Sequence, residues 1–475
     1  MNKFNPNYYI HLNDDSAMIQ GAIDAAMDSG QTIVIPRYNM RTKKNIWEIV
    51  RPINLSTLSV VCINNAHLRL ANGVYSNIFR TSNIQKKNAT TIKGRQYDIS
   101  IYGLGNAILD GGLHNGLVEK NENTKGRPSI RNNTIILFTN AERIAIKNIR
   151  ILHQRHWGMT FYYCSSCDIS NIDFFGGGNA PNQDGIDLRR GCNNFVIDKV
   201  SGFTQDDSIA LTCLESPMDM KFNIESMDSS IHNVIIKNVT TATMCAKVRL
   251  LSNDGCKLYN IIIENLQDFI EFDTTQEGMD EYKYRLPYSE EYFVGSETSM
   301  ALKDKYWRTF EKNQTPVACV RIGENHYFQT GEGAYGIAKM GDIFNITIRN
   351  IQTRAKFGVM ISATLADSFI DNVQMFGENI NAIYFAKGEY SNIRISNISY
   401  AKSSKYLPNK KNKDCVVYFN NANCHDLYFN GITTRKSNEA VFEGDGNVNI
   451  NVRDIIYTSK RTKLSIGDNS NIIEL

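Results

Sequence analysis

Three aspartates offer the chemistry this sequence is best equipped for. PNQDGIDLRRG (Pro181 to Gly191) is followed by TQDDSIAL (Thr204 to Leu211), so Asp184 precedes Asp206 by 22 residues and Asp207 follows at once. Successive residues of a strand face opposite sides, so Asp206 and Asp207 reach one groove only if the backbone bends between them. Clustered carboxylates repel one another, which pushes at least one pKa upward and lets a protonated acid stand beside an ionised base. Glycoside hydrolysis needs that division: one group protonates the leaving oxygen while another activates water or attacks. Calcium binding is the other use of such a cluster, and a single Asp in a turn-rich β protein is commonly a cap. Asp187, three residues after Asp184, falls on the opposite face of an extended strand and is assigned a structural role.

Cations and aromatics lie near these acids. Arg189 and Arg190 come directly after the DGID run, and one of them is a candidate substrate contact. Lys247 and Arg249 alternate with Val248, so both can face one groove. His153 and His156 flank Trp157, and His156 is the candidate imidazole at the site. Trp157, like Tyr162 or Tyr163, suits stacking on a sugar ring and suits a core position equally well. Cys164 and Cys167 form a CxxC with no second CxxC and no His pair at zinc spacing, so the ten cysteines are expected to be free and mostly buried, with no metal and no cofactor.

The elements that must position these groups announce themselves by repetition. A phrase of the form apolar-x-apolar-x-Asn-apolar appears in ERIAIKNI ending at Ile149, CDISNI at Ile172, NFVIDKV at Val200, HNVIIKNV at Val239 and YNIIIENL at Leu266. It returns in FNITIRNI ending at Ile351, SFIDNV at Val373, SNIRISNI at Ile398, DLYFNGI at Ile432 and VNINVRDI at Ile455. Most intervals are 22 to 28 residues; the longer ones suit coils with insertions. Alternating apolar segments at this period mean stacked β coils, each too small to bury its apolar face alone. The repeated Asn suits an inward ladder or a left-handed turn between sheets. A helix over residues 14–29 is expected to cap the open end of the stack, ahead of the strand TIVIP (Thr32 to Pro36). About 271–339 is an insertion in the 85-residue interval, expected as one or two coils plus a long loop walling a groove, within a single domain spanning 1–475.

Composition narrows the function classes. With 42% hydrophobic residues the chain of 475 can bury a large core, and repeat folds grow past ordinary domain size. A net charge of +3 with no long basic run gives no support to a nucleic-acid partner. No window of about 18 apolar residues exists to span a membrane. The N-terminus MNKFNPNYYIHLNDD lacks an apolar signal region, so a cytoplasmic location is expected; a mature secreted form would read the same.

The motifs between Gly103 and Asp268 resemble family 28 of the glycoside hydrolases, the polygalacturonases. GLGNAILDGG (Gly103 to Gly112) resembles the family's G-x-G-x-I-D-G turn, Gly126-Arg127-Pro128 its G-R-P, HQRHWGMTFYYC with Trp157 the coil before the site, NQDGID its N-T-D-G-x-D and QDDSIAL its D-D-x-x-A. The resemblance implies an all-β, single-stranded right-handed parallel β-helix of the pectin-lyase type. It also implies an inverting glycosidase in which Asp206 donates the proton while Asp184 and Asp207 activate water. Two departures bear on substrate. The family's G-H-G is replaced by TATMCAKVRLLS (Thr241 to Ser252), with Cys245 near the expected His, and its R-I-K by FIEF (Phe269 to Phe272). The Arg and Lys of that motif hold a galacturonate carboxylate, so a neutral sugar or a differently held uronate is expected, with Lys247 and Arg249 partly replacing the lost cations. Competing readings are a β-helix polysaccharide lyase or epimerase and a non-catalytic, tail-fibre-type glycan-binding protein. Processing of imported oligosaccharides would favour exo action, with the insertion blocking one end of the groove.

Overall fold

The computed structural model describes residues 2–27, 30–112, 134–154, 156–176, 182–243, 245–268, 317–323, 336–377, 380–402, 415–434, 440–456, 465–466 and 470–475. The fold is a parallel β-helix, and the chain divides into two compact units. Unit 1 comprises Met1–Ile209, Lys221–Asp228 and Phe269–Gln314; unit 2 comprises Ala210–Met220, Ser229–Asp268 and Thr315–Leu475. The G-R-P stretch, FIEF and most of the 271–339 insertion lie outside the described residues.

Unit 1 begins with a helix, Asp15–Ala26, whose N-cap Asp14 accepts the Ala17 amide at 2.8 Å. Met18, Ile19, Ala22 and Ile23 fill its buried face. Its polar side chains bond the backbone of the nearest strands. Asp15 accepts the Glu48 amide at 2.8 Å, Ser16 the Val50 amide at 2.9 Å, and Gln20 the Asn54 amide at 2.8 Å. These contacts satisfy amides that an uncovered strand edge would leave bare.

Parallel strands then stack in register. Ile33, Val61, Ile101, Ile146, Ile169 and Ile197 follow one another layer by layer, and each is fully buried. Burial of each such side chain contributes roughly 1.5–3 kcal/mol relative to exposure, and the column sets the register because a one-residue slip would turn it outward. In unit 2 the equivalent column is Ile236, Ile263, Ile348, Ile370, Ile395, Phe429 and Val452.

The repeated phrase marks these layers. Its end residues pair as Ile149, Ile172 and Val200 in unit 1, and as Val239, Leu266, Ile351, Val373, Ile398, Ile432 and Ile455 in unit 2. Leu266 and Ile351 are direct partners, so the 85-residue interval is one layer and not two. Within it, the strand Ala318–Ile322 pairs with Ala246–Ser252 on one side and with Phe357–Gly377 on the other.

Asn precedes seven of the ten end residues, always at a positive φ, such as 56° at Asn238, 59° at Asn265, 59° at Asn350 and 52° at Asn372; Lys199 and Asp454 hold the same place at 59° and 50°. Asn tolerates this left-handed conformation best after Gly, and Gly431 takes the same place at φ 68°. The carboxamides form a ladder: Asn265 donates to Asn238 at 3.0 Å, Asn350 to Asn265 at 3.0 Å, and Asn372 to Asn350 at 2.9 Å. This ladder runs along the turn surface rather than inward, because a left-handed residue at the corner points its side chain away from the core. Asn265→Ala is therefore expected to cost about 1–2 kcal/mol from the left-handed backbone, and Asn265→Gly clearly less. Equilibrium urea unfolding checks this, and equal losses in the two variants would contradict the backbone origin.

Candidate active site

Asp184 opens the strand Asp184–Leu188, one layer beyond Trp157; the register pairs Trp157 with Asp184, Met159 with Ile186, Thr160 with Asp187 and Phe161 with Leu188. Glycine decides which way Asp184 points. A Cβ on Gly185 would stand 2.4 Å from the Ser208 carbonyl oxygen and 3.1 Å from the ring of Phe174, which is fully buried. Gly158, one layer earlier, faces the same ring at 2.7 Å. The glycine positions thus face the core, and Trp157 and Asp184, each one residue before, face outward.

The next layer brings the acidic pair. The Gly185 amide donates to the Asp207 carbonyl at 3.0 Å and the Ile186 amide to the Ser208 carbonyl at 3.1 Å. In a parallel ladder an amide bonds the carbonyl of the residue before its lateral neighbour, so Asp184 stands beside Asp207. The offset between the two layers is thus 23 residues, one more than the spacing of Asp184 and Asp206. Two consecutive amides bonding one strand also mark a local irregularity after Gly185. It brings Asp187, which lies between the core residues Ile186 and Leu188, to the outward face rather than the opposite one.

The bend that the Asp206–Asp207 pair requires lies at Gln205 and Asp206. Thr204 Oγ1 donates to the Asp206 carbonyl at 2.8 Å and shares a hydrogen bond with Ser208 Oγ at 2.9 Å. Asp206 Oδ1 accepts the Asp207 amide at 3.0 Å. Carboxylate oxygens of Asp206 and Asp207 come within 4.8 Å of each other. Asp184 and Asp207 are buried, and Asp206 is half-buried.

Neighbouring polar groups hold this layer. Gln183, directly before Asp184, donates to the Gln154 carbonyl at 2.9 Å, and Gln154 donates to the Gln183 carbonyl at 3.3 Å. The Arg189 guanidinium lies over the Trp157 ring at 4.6 Å, with Nη1 3.9 Å from Asp187 Oδ1. His156 packs its ring against Trp157 at 4.2 Å. Trp157, Arg189 and His156 therefore adjoin Asp184 in its own or the preceding layer. Tyr162 and Tyr163 do not: both are buried in a separate apolar cluster with Leu137 and Ile224, and the Tyr163 hydroxyl donates to Asn223 at 2.7 Å.

His153 is held elsewhere. Asp110 sits between two imidazoles, 2.9 Å from His67 Nε2 and 2.9 Å from His153 Nδ1, and also accepts the Gly112 amide at 2.8 Å. Burial raises the Asp110 pKa, but the hydrogen bonds from His153 and His67 outweigh it and hold the carboxyl well below its usual range. The Asp110 bridge escaped the sequence reading, because His67 lies 43 residues from Asp110 with no local pattern joining them.

In unit 2, Lys247 is fully buried; its ammonium bonds the Thr241 carbonyl and lies 3.1 Å from Asp268 Oδ1. Its charge is thus paired within the unit, with Asp268. Arg249 faces outward between Val248 and Leu250, and its register partner is Arg321. The strand paired with Ala246–Ser252 is therefore Ala318–Ile322, and it carries a cation, in the run Arg321-Ile322-Gly323. The insertion hid this, although ACVRI alternates just as AKVRLL does.

The ten cysteines are free thiols. Cys164 and Cys167 bond backbone carbonyls, and burial pushes both thiols up, so this CxxC packs as core.

The Asp110 carboxyl is depressed on folding, so its stabilisation is present above the unfolded carboxyl pKa of about 4 and is lost as pH falls below it. Asp110→Asn should cost on the order of 3 kcal/mol at neutral pH, with a shallower fall in stability on acidification than the wild type. Thermal unfolding from pH 7 to pH 2.5 measures both, and parallel acid limbs would rule out the bridge as their source.

The sequence model of Glycosyl hydrolases family 28 matches residues 53–230. Among solved structures, an endo-xylogalacturonan hydrolase from Aspergillus tubingensis is similar at 14% identity and TM-score 0.48, over 95% of this chain and 96% of that one. The family 28 exopolygalacturonase of Yersinia enterocolitica is similar at 11% identity and TM-score 0.48, over 99% and 77%. A tailspike protein of E. coli bacteriophage HK620 is similar at 11% identity and TM-score 0.49, over 97% and 77%. The matched stretch, residues 53–230, holds Asp184, Asp206 and Asp207 and is similar to the family 28 glycoside hydrolases.

Proposed function

We propose that the protein hydrolyses an α-linked, pectin-like or related glycan with inversion at the anomeric carbon, Asp206 donating the proton and Asp184 and Asp207 activating water. One observation carries the reading: Asp184 stands beside Asp207 in adjacent layers, about 4.8 Å apart along the stack, while the bend after Thr204 keeps the Asp206 carboxylate within 4.8 Å of Asp207. Inverting carboxyl pairs are usually about 6.5–9.5 Å apart to leave room for water. The Asp206–Asp207 pair alone is closer than that, so the water belongs between Asp207 and Asp184, on the side away from the acid. Arg189 over Trp157 supplies a cation and a ring in the layers that hold Asp184, where a sugar is to be oriented.

Asp206→Asn should lower kcat about a thousandfold, within the range for loss of a general acid, with KM and oligosaccharide binding nearly unchanged. Reducing-end release on pectic and neutral oligosaccharides measures the first and calorimetry the second. Full activity in Asp206→Asn would remove the acid assignment, and binding without cleavage by the wild type would instead indicate a glycan-binding protein. Proton NMR of the first product formed checks the stereochemistry: an α-linked substrate should release the β-anomer, and initial release of the α-anomer would refute direct displacement by water.

A further inference from the structure

A chain of buried polar groups in unit 1 runs toward Asp184 from a carboxyl to which the hydrolysis assigns no role. Asp110 pairs in register with Leu152, at the end of the coil that precedes Trp157. Its oxygens hold His67 Nε2 and His153 Nδ1, each at 2.9 Å. Gln154 follows His153 directly and is fully buried. Gln154 Nε2 donates to the Gln183 carbonyl at 3.3 Å, while Gln183 Nε2 donates to the Gln154 carbonyl at 2.9 Å. Asp184 is the next residue after Gln183.

The corners joined by this chain are left-handed. φ is 51° at His153, 57° at His156 and 53° at Asn182. Such values are uncommon outside glycine and persist where the surroundings over-determine them. His153 is fixed from two sides: its amide donates to the Phe175 carbonyl at 3.0 Å and its ring is held by Asp110.

Gln154 also carries a cost that stability alone does not explain. Its Oε1 is buried with no hydrogen-bond partner among the described residues, and an apolar side chain of the same shape would avoid that cost. What the glutamine supplies is the second bond of a two-point clasp on Gln183. Two bonds fix the direction in which the chain enters Asp184 as well as its position. One residue past Asp184, the strand is fixed by the Gly185 amide on the Asp207 carbonyl at 3.0 Å. Water held between Asp184 and Asp207 needs both carboxylates in place, and a displacement of about 1 Å can cost about a hundredfold in rate.

We infer that Asp110 and Gln154 are positioning residues for Asp184. The Asp110 carboxylate fixes the His153 corner, that corner aims Gln154, and Gln154 sets the entry of the strand that carries Asp184. The inference rests on the hydrolase reading for the task of Asp184; the clasp on its strand does not.

Kinetics of reducing-end release and hydrogen–deuterium exchange, both on the full chain, test it together. Gln154→Met keeps the volume and gives up the bond to Gln183. It takes one donor from the Gln183 carbonyl but removes an unpartnered acceptor, so Tm should hardly change. It should lower kcat about tenfold with KM within about twofold of the wild type. Asp110→Asn, assayed well below its lowered Tm, should lower kcat by a similar factor. The double variant should fall about tenfold rather than a hundredfold, because both substitutions break one chain. Exchange at the Gly185 and Ile186 amides should quicken about tenfold in each variant. Ile101→Val, at a fully buried position of the inward column, should lower Tm and leave kcat and that exchange unchanged. Should Asp110→Asn fail to fold, His153→Gln breaks the same bridge and should show the same losses. Full kcat in Gln154→Met, a hundredfold fall in the double variant, or an equal kcat loss in Ile101→Val would each overturn the positioning role. If the wild type cleaves no glycan, exchange alone decides. Quickening in the two variants would then keep the clasp and refute the hydrolase, and unchanged exchange would refute both. Cleavage with kcat and exchange unchanged in both variants would keep the hydrolase and refute the positioning.

Discussion

In-register parallel stacking is the constraint on which everything else in this molecule depends. Within each unit a layer repeats its predecessor at about 4.8 Å, so a side chain's neighbours are fixed by register rather than by sequence distance. The inward isoleucine columns lock that register, since a slip of one residue would expose every one of them. A left-handed residue, mostly Asn, closes the coil at this corner with little strain, and Asn265 and Asn350 join their carboxamides to the layer before. Outward positions then become columns as well, and a column can gather like residues from distant parts of the chain.

The three aspartates sit where this regularity is broken. Gly185 has no side chain because Phe174 already occupies that space, and the irregular amide bonding after it redirects the strand. The bend at Gln205 and Asp206 is held by Thr204, Ser208 and the Asp206 carboxylate itself. Such departures need support from surroundings that stay regular. Here that support is polar and buried: Gln154 and Gln183 exchange hydrogen bonds across adjacent coils, and Asp110 ties His153 to His67 on the strand that leads into Trp157.

The layers were legible because their signal is local. Period-two apolar residues and an Asn before the last of them are enough, and all ten phrase ends fell on register columns. The three aspartates were legible because motif order and spacing agreed. Which of them are lateral neighbours was not, because a one-residue irregularity shifts the pairing from Asp206 to Asp207 without changing any motif. Arg321 was missed because it lies inside the 85-residue interval, 72 residues after its partner Arg249, and sequence distance says nothing about register across an insertion. The Lys247–Asp268 pair was not legible for a related reason: alternation with Val248 describes which way Lys247 leaves the strand, not that Asp268 stands there to pair with it.

Charge pairing sets two columns apart from the rest. Where register sets charged residues side by side, they are commonly of opposite sign: Glu48 beside Arg69, Arg150 beside Asp173, Lys237 beside Glu264, Glu264 beside Arg349 and Arg349 beside Asp371. Like charges directly opposite on neighbouring strands are destabilising, so a stack built for stability alone would keep that pattern throughout. Asp184 beside Asp207 breaks it in unit 1, and Arg249 beside Arg321 breaks it in unit 2. An anionic pair next to a half-buried third acid suits proton transfer. Each departure costs the fold stability, and the one in unit 1 falls on the layers that hold the three aspartates.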